Sequence, residues 1–361
     1  MPNTDSDPKS NLAELLQGLA SQPHADPELV ARMSSLREII EPVRDVGSPF
    51  LTVLLRTQGK RIEPFKDALL CLVGQTDQDF EVIVLAHDVA AENIEVVREI
   101  VSGQSEQFLS RLHLIEVSGG TRAKPLNAGL AAARGHFVSI YDDDDLLFAN
   151  WVEEFHTASQ TSNGRALRAI VANQSVTPEI WPGGESGFRT LSWPKVEFST
   201  KFDEVAHFLL NGSPFMSWAF PRTLFTIFGF RFDEDLVVCE DWDVILRAST
   251  LFGVMEIDQL TSIYRRWQDG ESSYTTHSDV AWGESEARVI ARNDATVLLL
   301  PPGSMTEMRR LALRDDAWKR YGFLFNGNQF REPLDTMWVA VSPVVRVLVR
   351  GAKKIRRTVR K

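Results

Sequence analysis

The chain has 361 residues, 43% hydrophobic and 24% charged, with a formal net charge of −10. This is an ordinary composition for a soluble globular protein able to bury a large core, and the strongly acidic body disfavours nucleic acid as a partner because it repels phosphates. Cys71 and Cys239 stand far apart without metal-ligand spacing, so neither a zinc site nor a disulfide framework is indicated, which fits a reducing cytoplasm.

The first residues, Met1 to Ser10, are polar and lack the basic-then-apolar order of a secretory signal. Residues 11–44 have helical periodicity, with Leu12, Leu15, Leu16 and Leu19, then Val30, Met33, Leu36 and Ile39, broken at Pro23 and Pro27. They form a helical extension, residues 1–47. From Pro49 strands and helices alternate: strand Phe50 to Leu55, helix Pro64 to Gly74, strand Phe80 to Leu85, helix Ile94 to Val101, strand Leu112 to Val117, helix Pro125 to Arg134, strand Phe137 to Tyr141. That alternation predicts an α/β fold with a mostly parallel central sheet flanked by helices.

Ligands of such sheets bind beyond the carboxyl ends of the strands. Those ends carry Arg56-Thr57-Gln58, His87-Asp88, Arg122 with Lys124 and Asn127, and the four-acid run Asp142 to Asp145. Each set has an ordinary structural reading as a turn cap, a surface histidine or a surface ion pair. Together on one edge they predict a nucleotide pocket. Four adjacent carboxylates after an apolar strand repel one another unless a cation neutralises them, and hard oxygens of this kind suit Mg²⁺ or Mn²⁺ carrying a diphosphate. Neither G-x-G-x-x-G nor G-x-x-x-x-G-K-[ST] opens a helix, so the phosphates are expected on a metal with Arg122 and Lys124 instead of a glycine cradle.

A second acidic group, Asp233-Glu234-Asp235 and then Glu240-Asp241, precedes an apolar helix. Capping alone explains a carboxylate pair at a helix N-terminus. The catalytic alternative has one of them accept the proton of an attacking hydroxyl. Between Gln174 and Trp218 aromatic residues recur, and Trp181 and Trp193, set among Pro and Gly, are the two expected to be exposed on an acceptor side. From Arg346 to Lys361 there are eight bases, and no acid follows Asp335. Wound as a helix, this tail puts Val344, Leu348, Ala352, Ile355 and Val359 on one face and bases on another, a basic amphipathic helix suited to the anionic inner face of the plasma membrane. No run of eighteen apolar residues occurs.

From about Ser48 to Arg266, about 60% of the chain, these features resemble an inverting family 2 glycosyltransferase of GT-A fold. The resemblance rests on Thr57, Gln75-Thr76-x-x-Asp79-Phe80-Glu81, Arg122 through Gly129, Ala133-x-Gly135, Asp142 to Asp145, and Phe232-Asp233-Glu234-Asp235 before Glu240-Asp241-Trp242-Asp243. It implies a transferase domain over 48–290, with a nucleotide-sugar half at 48–150 and an acceptor half at 151–290. Outside it lie a helical extension at 291–335 and the basic tail at 336–361.

Position by position, it implies that Asp142, Asp143 and Asp144 are the DxD acids facing ribose and metal, that Asp241 is the general base with Glu240 beside it, and that Arg56, Thr57, Arg122 and Asn127 face the donor. Where the family often pairs aspartates near the base, this chain reads Ala86-His87, with Asp88 one step later. Trp267 stands where many members carry a histidine, so His277, ten residues on, is the candidate third ligand beside Asp142 and Asp144. The implied reaction is a one-step, inverting transfer from a nucleoside diphosphate sugar to a glycan or lipid-linked acceptor in cell-surface polysaccharide biosynthesis. A sugar nucleotidyltransferase and a non-catalytic carbohydrate-binding module are the alternatives.

Overall fold

The computed structural model describes residues 11–40, 44–184, 186–268 and 276–321, with side chains as far as Leu313. Two compact units divide at Pro302 and Gly303. The second contains the helix Ser304–Tyr321. The basic tail and its expected helix lie outside the described residues. No helix among the described residues is long and apolar enough to cross a membrane.

The first unit opens with helices α1 (Asn11–Ala20) and α2 (Pro27–Ile40). Asn11 pins α1 to the core, its amide nitrogen donating to the Ser249 carbonyl at 3.1 Å. The alternation that follows is β1 (Leu51–Thr57), α3 (Ile62–Val73), β2 (Phe80–His87), α4 (Ala91–Ser102), the short α5 (Glu106–Leu109), β3 (Leu112–Val117), α6 (Ala123–Ala132) and β4 (Phe137–Asp142). Apart from α5, these are the expected elements, with ends displaced by up to three residues. Strands β3, β2, β1 and β4 pair in that order, all parallel.

Both faces are covered, which the continuous burial of β1 and β2 reflects. Val53 and Leu55, Val82 and Val84, and Phe137 and Tyr141 join one apolar layer with Phe65 and Leu69 of α3; Leu54, Ile83, Leu85, Val138 and Ile140 join the other with Leu126 and Leu130 of α6. The period of two along each strand divides the core between the two layers. Truncating one of these leucines or isoleucines to Ala is expected to cost about 2–5 kcal/mol.

At the amino-terminal edge of the sheet, Gly135 lies so near β1 that a Cβ there would fall 2.3 Å from the Thr52 nitrogen. The Gly135 N–H donates to Thr52 Oγ1 at 2.8 Å, and that hydroxyl donates to buried Glu81 at 2.7 Å. This close approach is why the chain needs glycine after Ala133-Arg134, and it fixes where β4 begins and hence where its acids emerge.

The second half is mixed. It contains β5 (Leu146–Leu147), α7 (Trp151–Ser159), β6 (Ala166–Ile180), β7 (Ser186–Thr190), α8 (Glu204–Leu209), β8 (Trp218–Pro221), α9 (Thr223–Thr226), α10 (Glu240–Phe252), β9 (Val254–Trp267) and α11 (Asp279–Asp294). The sheet continues from β4 through β8, β6 and β9 to β5, with β7 paired to β6. β6 and β9 run parallel, while β8 is antiparallel to both β4 and β6. Of the aromatics, Trp218 is fully buried, Trp193 is 91% exposed, and Trp181 is half-buried against Gly187, where a Cβ would meet its ring at 2.0 Å.

Candidate active site

Strand β1 ends by delivering Arg56 and Thr57, and β4, its parallel neighbour, delivers Asp142 opposite Arg56 in register. The register makes a salt bridge: Arg56 Nε donates to Asp142 Oδ1 at 2.6 Å and Nη2 to Oδ2 at 2.9 Å. The same guanidinium reaches forward, Nη1 donating to Glu240 Oε1 at 2.7 Å. Arg122 Nε approaches that carboxylate at 3.4 Å. Phe215 lies under Arg56, its ring centre 6.0 Å from the guanidinium carbon. The two acidic clusters, remote in sequence, therefore meet through one buried arginine.

Electrostatics follow from this arrangement. Burial opposes the charge of Arg56, but Asp142 and Glu240 more than compensate and raise its pKa. Burial would likewise push Asp142 and Glu240 up, yet Arg56 holds Asp142 below the usual carboxylate range, and Arg122 with Arg56 does the same for Glu240. Asp241, next along the chain, has no such arginine grip. Its Oδ2 accepts from Asn211 Nδ2 at 2.8 Å, while burial and the Glu240 charge push its pKa up to about 6. Of two adjacent carboxylates, one is a fixed anion and the other is poised to take a proton near neutrality.

The local backbone explains the split. Cys239 before α10 is left-handed, with φ at 66°, so the helix starts abruptly at Glu240. The preceding loop is anchored from both sides. Asn127 on α6 donates to the Phe232 carbonyl at 3.0 Å and to Glu234 at 2.8 Å, and accepts from the Phe232 N–H at 2.9 Å. From α11, Arg288 donates to Asp233 at 2.7 Å, while Arg292 reaches Asp233 and also Asp243 at 2.7 Å. Burial disfavours the Asp233 charge, but these arginines carry its pKa down to about 2. Asn127 and the Asp233 cluster are thus clamps that hold Glu240 and Asp241 in place; the Asn127 amide is already occupied by the loop.

The rest of the acid run divides by environment. Asp145 is buried, its Oδ1 accepting from the Arg265 N–H at 2.8 Å and its carbonyl from the Tyr141 hydroxyl at 2.8 Å; it secures the turn. Burial and the neighbouring Asp144 charge push its carboxyl well up. Asp144 pairs with Arg61, whose guanidinium stacks 4.6 Å from the Trp267 ring centre. Asp143 accepts a hydrogen bond from Thr57, and burial with the Asp144 charge pushes it up to about 7. Thr57 also accepts from the Gly59 N–H at 3.0 Å, shaping the turn that carries Arg61.

His87 is buried with Nε2 3.2 Å from the Gly119 carbonyl, and Asp88, at φ 47°, accepts from the Gly119 N–H at 2.6 Å. This pair joins the ends of β2 and β3. His277 lies within electrostatic reach of Arg122 and Glu240: burial and Arg122 lower its pKa, and Glu240 opposes them.

Among the described residues, no three His, Cys, Asp or Glu side chains stand as a metal-holding group. In this structure both Asp142 oxygens accept from Arg56, and Asp142, Asp144 and His277 do not form such a group. The donor set that fits a divalent cation is narrower. Burial keeps Asp143 and Asp144 shifted toward their neutral forms even with Arg61 beside them, the condition of hard oxygen ligands short of positive charge. Arg61, Asn211, Phe215 and Trp267 complete the site. Asn211 and Phe215 carry no motif that marks them in the sequence, and Arg61 is separated from Asp144 by 83 positions.

Residues 60–222 match the model of glycosyl transferase family 2, a span that includes the acid run and ends before Glu240. No curated protein sequence matches the chain. Among solved structures, TarS 1-349 of S. aureus in complex with UDP-GlcNAc is 17% identical, with 67% of this chain and 65% of that one covered and a TM-score of 0.48. The present chain thus spans just under two thirds of that TarS structure. The mannosyltransferase PcManGT of Pyrobaculum calidifontis, in complex with GDP-Man and Mn²⁺, is 15% identical with a TM-score of 0.50, covering 95% of this chain and 90% of that one. Residues 60–222 are thus similar to the family 2 glycosyltransferases, and the α/β sheet around them has the GT-A fold.

Proposed function

We propose that this protein is a metal-dependent, inverting glycosyltransferase that moves a sugar from a nucleoside diphosphate sugar to an acceptor hydroxyl, in the assembly of a cell-surface glycan or polysaccharide. The observation that carries the reading is the contrast across Arg56: Asp142 and Glu240 are held as anions, while Asp241 beside them sits at a pKa of about 6. Bound Mn²⁺ or Mg²⁺ would supply Lewis-acid stabilisation of the departing diphosphate. Asp144, with Asp143, would hold it. PcManGT was solved with GDP-Man and Mn²⁺, which supports a sugar-nucleotide donor here.

In this reading Arg122, together with Thr57 and the His87-Asp88 corner, lines the donor side. Asp241 takes the proton of the acceptor hydroxyl, Asn211 fixes the orientation of its carboxylate, and the fixed Glu240 anion keeps its basicity up. The hydroxyl attacks the anomeric carbon from the face opposite the diphosphate, so configuration inverts without a covalent enzyme intermediate. The aromatic segment between β6 and β8, with exposed Trp193, is the proposed acceptor side. The basic tail is proposed to hold the enzyme at the inner face of the plasma membrane; sedimentation with anionic liposomes, full chain against a chain ending at Asp335, tests that.

The decisive experiment is a donor screen across UDP-, GDP- and dTDP-sugars with Mn²⁺. Release of nucleoside diphosphate supports transfer, release of pyrophosphate indicates a nucleotidyltransferase, and binding without turnover indicates a carbohydrate-binding module.

A further inference from the structure

Two arginines contact neighbouring acids of the same loop in unlike settings. Arg56 is sealed in: its side chain is 10% exposed, it has a second carboxylate in Glu240, itself 3% exposed, and it lies over Phe215. Arg61 is reachable, with its side chain 23% exposed and Asp144 19% exposed. It extends from the turn made by Gly59, a position with φ at 65°, at the very start of α3. Its second support is the face of Trp267, the last residue of β9, whose ring also stands edge-on to Phe188 at 5.9 Å. The Trp267 indole nitrogen is buried without a hydrogen-bond acceptor among the described residues.

We infer that Arg61 is an exchangeable cation: it occupies Asp144 while the donor site is empty, and transfers to the donor's diphosphate when a divalent ion takes Asp144. This deepens the donor reading above and rests on it. The physical case is competition for one carboxylate. Arg61 pairs with Asp144, and its charge also favours ionised Asp143 and Asp142, so it stands in for a cation across these three acids. A second cation entering the loop repels Arg61 and relieves Asp144 of the need for it. The guanidinium fork then matches a phosphate, a better partner for it than a carboxylate already bound to a metal. Trp267 keeps the arginine parked near the loop without fixing it, because a cation–π contact at a partly exposed site is weak.

The exchange gives two affinities of opposite sign, and both are read without turnover. With the full chain, free Mn²⁺ is counted by electron paramagnetic resonance as the ion is titrated in alone. Arg61→Gln removes the competitor, so Mn²⁺ alone should bind roughly three- to tenfold more tightly than to wild type. UDP and GDP, each titrated by calorimetry in saturating Mn²⁺, should bind the variant about tenfold more weakly where wild type binds them. Looser Mn²⁺ binding, unchanged Mn²⁺ binding, or retained nucleotide affinity in the variant overturns the exchange, as does failure of both nucleotides to bind wild type. A purely structural arginine would weaken both together. Should Arg61→Gln misfold by circular dichroism, Trp267→Leu serves in its place: tighter Mn²⁺ with nucleotide affinity kept supports the exchange, and unchanged or weaker Mn²⁺ overturns it. Mn²⁺ alone is scored without any sugar, so a failed donor screen and a failed exchange remain separate results.

Discussion

Arg56 Nη1 lies 2.7 Å from Glu240 Oε1 although 184 residues separate them in the chain. The contact joins the carboxyl end of β1 to the first turn of α10, and so sets the distance between the acid run after β4 and Asp241. Both partners are nearly sealed from water, at 10% and 3% side-chain exposure. Removing one member of such a pair leaves a buried charge uncompensated.

Arg56→Gln is therefore expected to lower stability by about 3–5 kcal/mol, seen as a drop in the urea midpoint. Arg56→Met combined with Glu240→Gln and Asp142→Asn should recover much of that loss, because replacing a whole buried ionic group by neutral side chains is far cheaper than breaking it. A single variant as stable as wild type would show that water reaches this contact.

Asp241→Asn keeps the size and the Asn211 neighbour but cannot take a proton. Turnover should fall by roughly a hundredfold to ten-thousandfold with donor affinity little changed. In wild type, kcat/KM should rise with pH and level off above about 6, since a base works only when deprotonated and the Asp241 pKa is pushed up to about 6. A profile flat from pH 5 to 8 would remove Asp241 from the chemistry.

Asn211 supplies the test of that assignment by direction. Its amide donates to Asp241 at 2.8 Å and so favours the ionised form. Asn211→Ala should move the acidic limb of the kcat/KM profile to higher pH, whereas loss of a purely structural contact would lower the plateau and leave the limb in place.

The parallel half of the fold was legible because both its faces are covered. β1, β2 and β4 read as near-continuous apolar runs, broken within by Thr52, Glu81 and Ser139, with further polar residues at their carboxyl ends. The acid run was legible as a cluster, but its division of labour was not. Nothing in four identical letters says that Asp142 meets Arg56, Asp144 meets Arg61 and Asp145 caps the Arg265 amide. Asn127 looked like a donor contact because it belongs to the polar loop, and the structure shows its amide spent on the Phe232 backbone. Asn211 was invisible because its role is a contact across 30 residues from a segment whose aromatics dominated the reading.

Asp144→Asn tests the acid loop as cation ligand. In the donor-hydrolysis assay wild type should lose activity on chelation and regain it with Mn²⁺ or Mg²⁺. The variant should need much more metal for half-maximal rate, because a neutral amide is a poor ligand for a hard cation and the charge on Asp143 alone remains. Chelator-resistant turnover in wild type would count against metal dependence.

Glu204 on α8 links stability to pH through the same region. Ser249 Oγ donates to its carboxylate at 2.7 Å, yet burial dominates and pushes the pKa up to about 8. The unfolded chain releases this proton near pH 4.3, so between about 4.3 and 8 the folded state holds a proton that the unfolded state has lost. Stability must then fall as pH rises through this window, by at most about 1.4 kcal/mol per unit. Glu204→Gln should match wild type near pH 4 and exceed it progressively toward pH 8 in urea unfolding; parallel curves would mean that Glu204 is ionised in the fold. The consequence reaches the site. α8 leads into the turn that carries Asn211, and the His207 carbonyl on α8 accepts from the Trp242 indole at 2.7 Å, one residue beyond Asp241. Charging Glu204 at alkaline pH loosens the element that orients the base, so the variant should also hold its turnover to a higher pH than wild type.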